Sequence, residues 1–168
     1  IKFELEKFKE TVKLSKEATL LWQKVLKTSI ASNAPLSFFD ATIHMGPIVV
    51  LRGTQIAIEY YTGLLKELDD NVKNNVGFLP DTKTRIFWEG MPIWGKLRMM
   101  SDLFSSNGAA VVASTYCSSW VFDKFDESDP WNSTARAYTE IFINRSEKAK
   151  MNMLETWLKE YKIDGIVY

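Results

Sequence analysis

The sequence predicts an α/β chain. A helical segment over about residues 1–80 leads into a three-stranded parallel sheet, order 2-1-3, with flanking helices over residues 81–168. Two observations predict this. Up to about Gly77 the apolar residues recur at helical spacing, whereas beyond Pro80 short apolar runs alternate with helical ones. The stretch from Arg85 to Tyr116 then reads as strand, tight loop, helix, glycine stop and buried strand, one β-α-β unit. The order 2-1-3 places a topological switch beside the first strand, where a ligand crevice belongs.

Each element has its own warrant. Leu5, Phe8, Val12, Trp22 and Leu26 fall on one helical stripe, with lysines and glutamates between them. Asn33-Ala34-Pro35 stops that helix, because the residue before proline is pushed out of the helical region. Ser37 caps a short helix to about Met45, ended by Gly46-Pro47. Thr54 caps a longer one, Gln55 to about Asn74, whose inner face is Ile58, Tyr61, Leu65 and Leu68. Arg85–Trp88 is the first strand. Ile93–Ser106 is a helix with Leu97, Met100 and Phe104 inward, and Ala110–Tyr116 is a nearly all-apolar second strand, covered on both faces. Asp129-Pro130 has helix-start chemistry, with Asp as cap and Pro in the first turn. Helical patterns follow to about Tyr161, broken near Asn144, and Ile166–Tyr168 is the third strand.

Composition removes several function classes. The 168 residues balance 21 Lys and Arg against 21 Asp and Glu, which argues against a phosphate-gripping nucleic-acid binder. No segment approaches the apolar length that crosses a bilayer, and no signal-peptide pattern opens the chain, so no membrane partner is expected. A single cysteine, Cys117, excludes an internal disulfide and suits a reducing compartment, the cytoplasm. Asn132-Ser133-Thr134 and Asn144-Arg145-Ser146 match the glycosylation pattern by chance in such a setting. The chain opens without Met inside a helical pattern and closes on a strand, so a piece of a longer protein is expected.

Two loops carry the chemistry. Glu89-Gly90-Met91-Pro92 follows the first strand: Gly90 permits close backbone approach, Pro92 stiffens the turn, and Glu89 is a candidate acid, base or acceptor. Trp88 and Trp94 are candidate walls of an apolar pocket. The duller reading is a solvated glutamate in an ordinary β-α turn, and the absence of G-x-G-x-x-G argues against a dinucleotide site. Ser114 to Trp120 ends the second strand, which brings hydroxyls, a thiol and rings towards Glu89. Cys117 reads as cluster ligand, nucleophile, pocket wall or simply a small packed hydrophobe, and one thiolate defines no metal site. His44, the only histidine, reads as a partly buried helix-end residue.

R-I-F-W-E-G-M-P-I-W, V-V-A-S-T-Y-C-S-S-W, D-P-W with A-R-A-Y-T-E, and Y-K-I-D-G-I-V-Y together resemble the 2-hydroxyacyl-CoA dehydratase and benzoyl-CoA reductase subunit family, the 2-hydroxyglutaryl-CoA dehydratase D-component type. The likeness covers residues 84–168 in order, and the wording of the E-G-M-P-I-W and T-Y-C-S-S-W blocks is nearest to a benzoyl-CoA reductase subunit. The resemblance implies a flavodoxin-like half domain over 81–168 and an oxygen-sensitive, heteromeric enzyme of anaerobes. It also implies a [4Fe–4S] cluster in the full-length subunit, an acyl-CoA substrate, a second homologous subunit and an ATP-dependent electron activator. One branch of the family reduces the benzoyl-CoA ring; the other dehydrates (R)-2-hydroxyacyl-CoA through a ketyl radical.

On that resemblance Glu89 and Tyr116 are the expected catalytic residues. Trp88, Gly90, Met91, Pro92, Trp94, Cys117 and Trp120 are expected to bind substrate. No metal ligand is assigned within the chain, whose cluster cysteines are expected mostly outside it, so the chain alone is expected to carry no iron and no turnover. The rival from another class is a non-catalytic α/β module whose tryptophans dock a neighbouring subunit.

Overall fold

The structure, a computed structural model, describes residues 2–168. The first helix, α1 (Leu5–Lys27), buries Val12, Ala18, Trp22 and Val25 along its stripe and tightens into a 3-10 turn at Thr28–Ile30. Ser37 accepts the Asp40 N–H at 3.1 Å and caps α2 (Phe38–His44), as its position predicts. Gly46-Pro47 does not end in coil but opens a further helix, α3 (Gly46–Val50). A proline loses nothing in a first turn, whose N–H groups have no helical partner. The Tyr61 hydroxyl bridges the junction, accepting from Ile48 N–H and donating to the His44 carbonyl, both at 2.9 Å. Thr54 caps α4 (Gln55–Lys73), which presents Ile58, Tyr61 and Leu68 to the interior with Leu65 half-buried.

The sheet contains β1 (Thr84–Trp88), β2 (Ala109–Ser114) and β3 (Gly165–Val167), all parallel, in the order β2-β1-β3. Side chains alternate across it. Ile86, Trp88 and Val111 face the helical segment and α5 (Leu97–Ser106), in one core with Trp22, Phe38, Phe39 and Tyr61. Phe87, Ala110 and Val112 face the opposite side, beneath α8 (Glu147–Glu160) and its Trp157. Both faces are therefore covered, as the all-apolar second strand requires. One core runs across the change of pattern near residue 80.

Several boundaries shift for local reasons. β2 stops at Ser114 and not at Tyr116, because the Ser114 hydroxyl accepts the Cys117 N–H at 3.1 Å and caps α6 (Thr115–Ser118). The predicted helix from Ile93 begins as a 3-10 turn at Trp94–Lys96. Asp129 sits at the cap position of α7 (Pro130–Thr139), but its carboxylate takes the Asn132 side-chain amide, not a backbone N–H. The break near Asn144 is a 3-10 turn at Phe142–Asn144. Among the described residues no helix is long and apolar enough to cross a membrane.

Buried Arg85 fastens these layers. Its Nε donates to the Tyr161 carbonyl at 2.8 Å, Nη2 to Ser29 at 2.7 Å, and Nη1 to Ala31 and Ser32 at 3.1 and 3.2 Å. Lysine cannot match that planar fork. We expect Arg85→Lys and Arg85→Met each to lower the unfolding free energy by about 3 kcal/mol, through carbonyls left unpaired in the interior. Denaturant midpoints within experimental error of the parent protein's would refute this.

Candidate functional site

The site grows from the sheet register. β1 and β2 pair regularly from Thr84 with Ala109 to Ile86 with Val111, and then slip by one residue, so that Phe87 pairs with Ala113 and Trp88 with Ser114. The extra residue, Val112, advances β2 relative to its partner. As a result the residue after Trp88 comes level with the residue after Ser114, and Glu89 meets Thr115. The Thr115 hydroxyl donates to the Glu89 carboxylate. On its other side the Glu89 N–H donates to the Val167 carbonyl at 2.8 Å. Glu89 is thus held by both neighbouring strands, main chain to β3 and side chain to the end of β2.

Glu89, Gly90, Met91, Thr115, Tyr116 and Ser119 border a cavity of about 230 Å³, closed by Phe142, Ile143 and Lys150. Gly90 has φ of +97°, a left-handed conformation that favours glycine, and a Cβ there would meet no atom. Its requirement is conformational, not steric. Tyr116 is shared with a second cavity of about 300 Å³, lined mainly by Ile43, Met45, Val49, Val50, Trp94 and Trp120. Trp94 and Tyr116 meet edge to face at 6.2 Å between centroids, and Tyr116 lies between the two cavities. The charged groups of the first cavity are the Glu89 carboxylate and the Lys150 ammonium, which lies 5.7 Å above the Phe142 ring.

Six of the nine expected residues, Glu89, Gly90, Met91, Trp94, Tyr116 and Trp120, therefore line one or other of these two cavities. Trp88, Pro92 and Cys117 line neither. Trp88 is a core residue, stacked on Phe38 at 5.2 Å and edge-on to Phe39 and Phe104, because strand alternation turns it the same way as Ile86. Its indole N–H donates to the Met91 carbonyl at 3.3 Å, so it supports the loop from below instead of walling the pocket. Pro92 is likewise buried. Thr115, Ser119, Phe142, Ile143 and Lys150 were not among the expected site residues. The two hydroxyls lie inside a stretch whose convergence on Glu89 was legible, whereas the last three come from distant sequence. Their one local trace is the helix break near Asn144. His44 ends α2 as expected, half-buried, with Nδ1 2.6 Å from the Tyr60 hydroxyl.

The family model described as 2-hydroxyglutaryl-CoA dehydratase, D-component, matches residues 1–168. The chain is 29% identical to a benzoyl-CoA reductase subunit of Thauera aromatica, over 99% of its own length and 41% of the relative's. It is 28% identical to the alpha subunit of lactoyl-CoA dehydratase of Anaerotignum propionicum, over 99% and 40%. Against the (R)-2-hydroxyisocaproyl-CoA dehydratase alpha subunit of Clostridioides difficile it is 30% identical over 99% and 41%. It spans about two fifths of the length of these curated relatives.

Cys117 is the residue whose alternatives the structure narrows most. It is buried, its Sγ lies 3.8 Å from the Thr42 hydroxyl, and its carbonyl accepts the Trp22 indole N–H at 3.2 Å. Burial pushes its pKa up to about 11, with the Ser114 and Thr42 hydroxyls acting weakly against that. At neutral pH it is a packed thiol, not a nucleophilic thiolate. A disulfide reagent should modify it at pH 7 only at the rate of global unfolding, and rapidly in denaturant. Fast stoichiometric labelling of the folded protein would contradict this.

Proposed function

The chain belongs to the 2-hydroxyglutaryl-CoA dehydratase, D-component family, and on that premise we propose that it is part of an enzyme subunit acting on acyl-CoA thioesters by low-potential one-electron chemistry. Reduction of the benzoyl-CoA ring is the first reading, and dehydration of an (R)-2-hydroxyacyl-CoA the second. The observation that carries the proposal is the convergence of two strand-end loops on one cavity, with an anchored carboxylate, Glu89, beside the Tyr116 ring.

Both chemistries move protons near a thioester. Ring reduction takes up one proton for each electron added, while dehydration removes a proton from carbon and releases water. Glu89 is suited to either task, since Thr115 and Val167 fix it at the cavity edge without filling the cavity. Met91, Phe142 and Ile143 supply apolar surface at the cavity, and Tyr116 flanks an aromatic or aliphatic acyl group. Lys150 supplies a positive charge that offsets negative charge developing on the thioester oxygen.

The [4Fe–4S] cluster that such chemistry implies does not fit the described residues. Its usual ligands are several thiolates, and the chain's one cysteine is enclosed in the core beside Thr42 and Trp22. Among the described residues no group of three or more His, Cys, Asp or Glu side chains is placed to hold a metal. On this proposal the cluster is held by other parts of a longer subunit, which works in the cytoplasm with a second homologous subunit and an ATP-dependent activator.

Assays of the intact enzyme with activator, ATP and reductant, offering benzoyl-CoA and a 2-hydroxyacyl-CoA separately, distinguish the two readings, and turnover of neither removes both. In whichever reaction runs, Glu89→Gln should lower kcat on the order of 10²-fold, with an unchanged thermal midpoint. Parent-like turnover in that variant would take Glu89 out of the mechanism.

A further inference from the structure

A charged group outside the Glu89 cavity, Arg52, faces a cavity without an opposite charge. Arg52, just beyond α3, directs Nη1 to the Thr19 hydroxyl at 2.5 Å and Nη2 to the Trp120 carbonyl at 2.6 Å. Its guanidinium lies 4.1 Å from the Phe122 ring centroid. Both hydrogen-bond partners are neutral. None of the ion pairs among the described residues includes Arg52. Burial lowers its pKa to about 10, which still leaves it charged at neutral pH. A mostly buried cation with no counter-charge is costly unless something supplies one.

The cavity beside it measures about 270 Å³, and no acidic side chain lines it. Its walls are largely apolar: Phe8, Val12, Trp120, Phe122 and Phe125. Thr134 also lines it, and its hydroxyl is buried with no hydrogen-bond partner. Such a hydroxyl is uncommon in a folded interior unless a ligand or water completes it. Exposed Val50 and Tyr138 stand at the edge of the cavity and leave a way in.

We propose that Arg52 and Thr134 form a binding site, separate from the Glu89 cavity, for a small carboxylate with an apolar body. Unpaired guanidinium N–H groups and the Thr134 O–H donate to the carboxylate, and the aromatic walls take the hydrocarbon. The volume lies just below the roughly 300–1,000 Å³ of drug-sized sites, so the guest is on the order of ten heavy atoms. A bare inorganic anion would leave the aromatic walls unfilled, and a neutral analogue would leave the charge uncompensated. The inference stands independently of the acyl-CoA reading, since it uses none of the residues around Glu89.

The probe is phenylacetate, with phenylacetamide as neutral isostere and inorganic phosphate as bare anion, titrated calorimetrically into the intact protein. Phenylacetate should bind saturably, and the other two at least tenfold more weakly. Arg52→Gln should weaken phenylacetate about 30-fold and Thr134→Val about fivefold, the loss of a charged and of a neutral hydrogen bond respectively. Glu89→Gln should leave its affinity unchanged, which separates this site from the other cavity. Should Arg52→Gln fold poorly, Arg52→Lys and Thr134→Val carry the test. Equal affinity for acid and amide, no saturable binding of the acid, or parent-like affinity in Thr134→Val would each overturn the proposal. Loss of phenylacetate binding in Glu89→Gln alone would assign the ligand to the other cavity and overturn it as well.

Discussion

The positions of both loops at the sheet edge depend on how the central strand is held, and Arg85 holds it. The guanidinium has no carboxylate partner on its own fork; it donates to four carbonyls instead. Those carbonyls are not arbitrary. Tyr161 is the C-cap of α8, and Ser29, Ala31 and Ser32 lie at and just past the 3-10 turn that finishes α1. Helix C-termini carry partial negative charge and unpaired carbonyls, so two helix ends together supply partial negative charge to the guanidinium, beside the full charge of nearby Asp164. Asp164 completes the arrangement by accepting the Arg85 backbone N–H at 2.8 Å. One residue thereby joins the helical segment, the central strand and the approach to β3.

From Arg85 to Glu89 the strand runs about 13 Å, and over that distance the structural anchor becomes a chemical edge. The register slip at Val112 is what converts strand pairing into a site. In a regular ladder Glu89 would stand opposite Ser114, whose hydroxyl oxygen accepts the Cys117 N–H at the start of α6. Slipped by one, it meets Thr115, whose hydroxyl is available. The carboxylate thus gains a fixed orientation from backbone geometry, and no additional charged neighbour is needed.

Local signals were legible wherever the physics was local. Ser37 and Thr54 sit where a hydroxyl satisfies an otherwise orphaned N–H, and both caps form as the residue pattern implies. The strand order, and the convergence of the two strand-end loops on one cavity, followed from the parallel β-α-β pattern. Facing was not legible. In a strand covered on both sides, apolar composition is the same for either orientation, so nothing in R-I-F-W indicated that Trp88 would turn into the core and away from the loop. Nor was the closure of the cavity, since Phe142, Ile143 and Lys150 reach Glu89 across more than fifty residues of chain. Gly46-Pro47 misled because the same dipeptide stops one helix and opens another, and only Tyr61, fourteen residues beyond Pro47, decides between them.

Buried Arg85 and half-buried Arg52 make opposite uses of one side chain. Arg85 is saturated by carbonyls at helix ends and serves as a fastening. Arg52 has half as many acceptors, and neither belongs to the converging helix ends that balance Arg85. Aromatic stacking on Phe122 offsets part of its burial, but a ring quadrupole is a weak substitute for a full negative charge. The cavity that Arg52 shares with Trp120, Val49 and Val50 adjoins the one containing Trp94 and Tyr116, which in turn adjoins Glu89. The two ends of this row differ in charge balance: Glu89 shares its cavity with the Lys150 ammonium, whereas Arg52 shares its own with no acidic side chain.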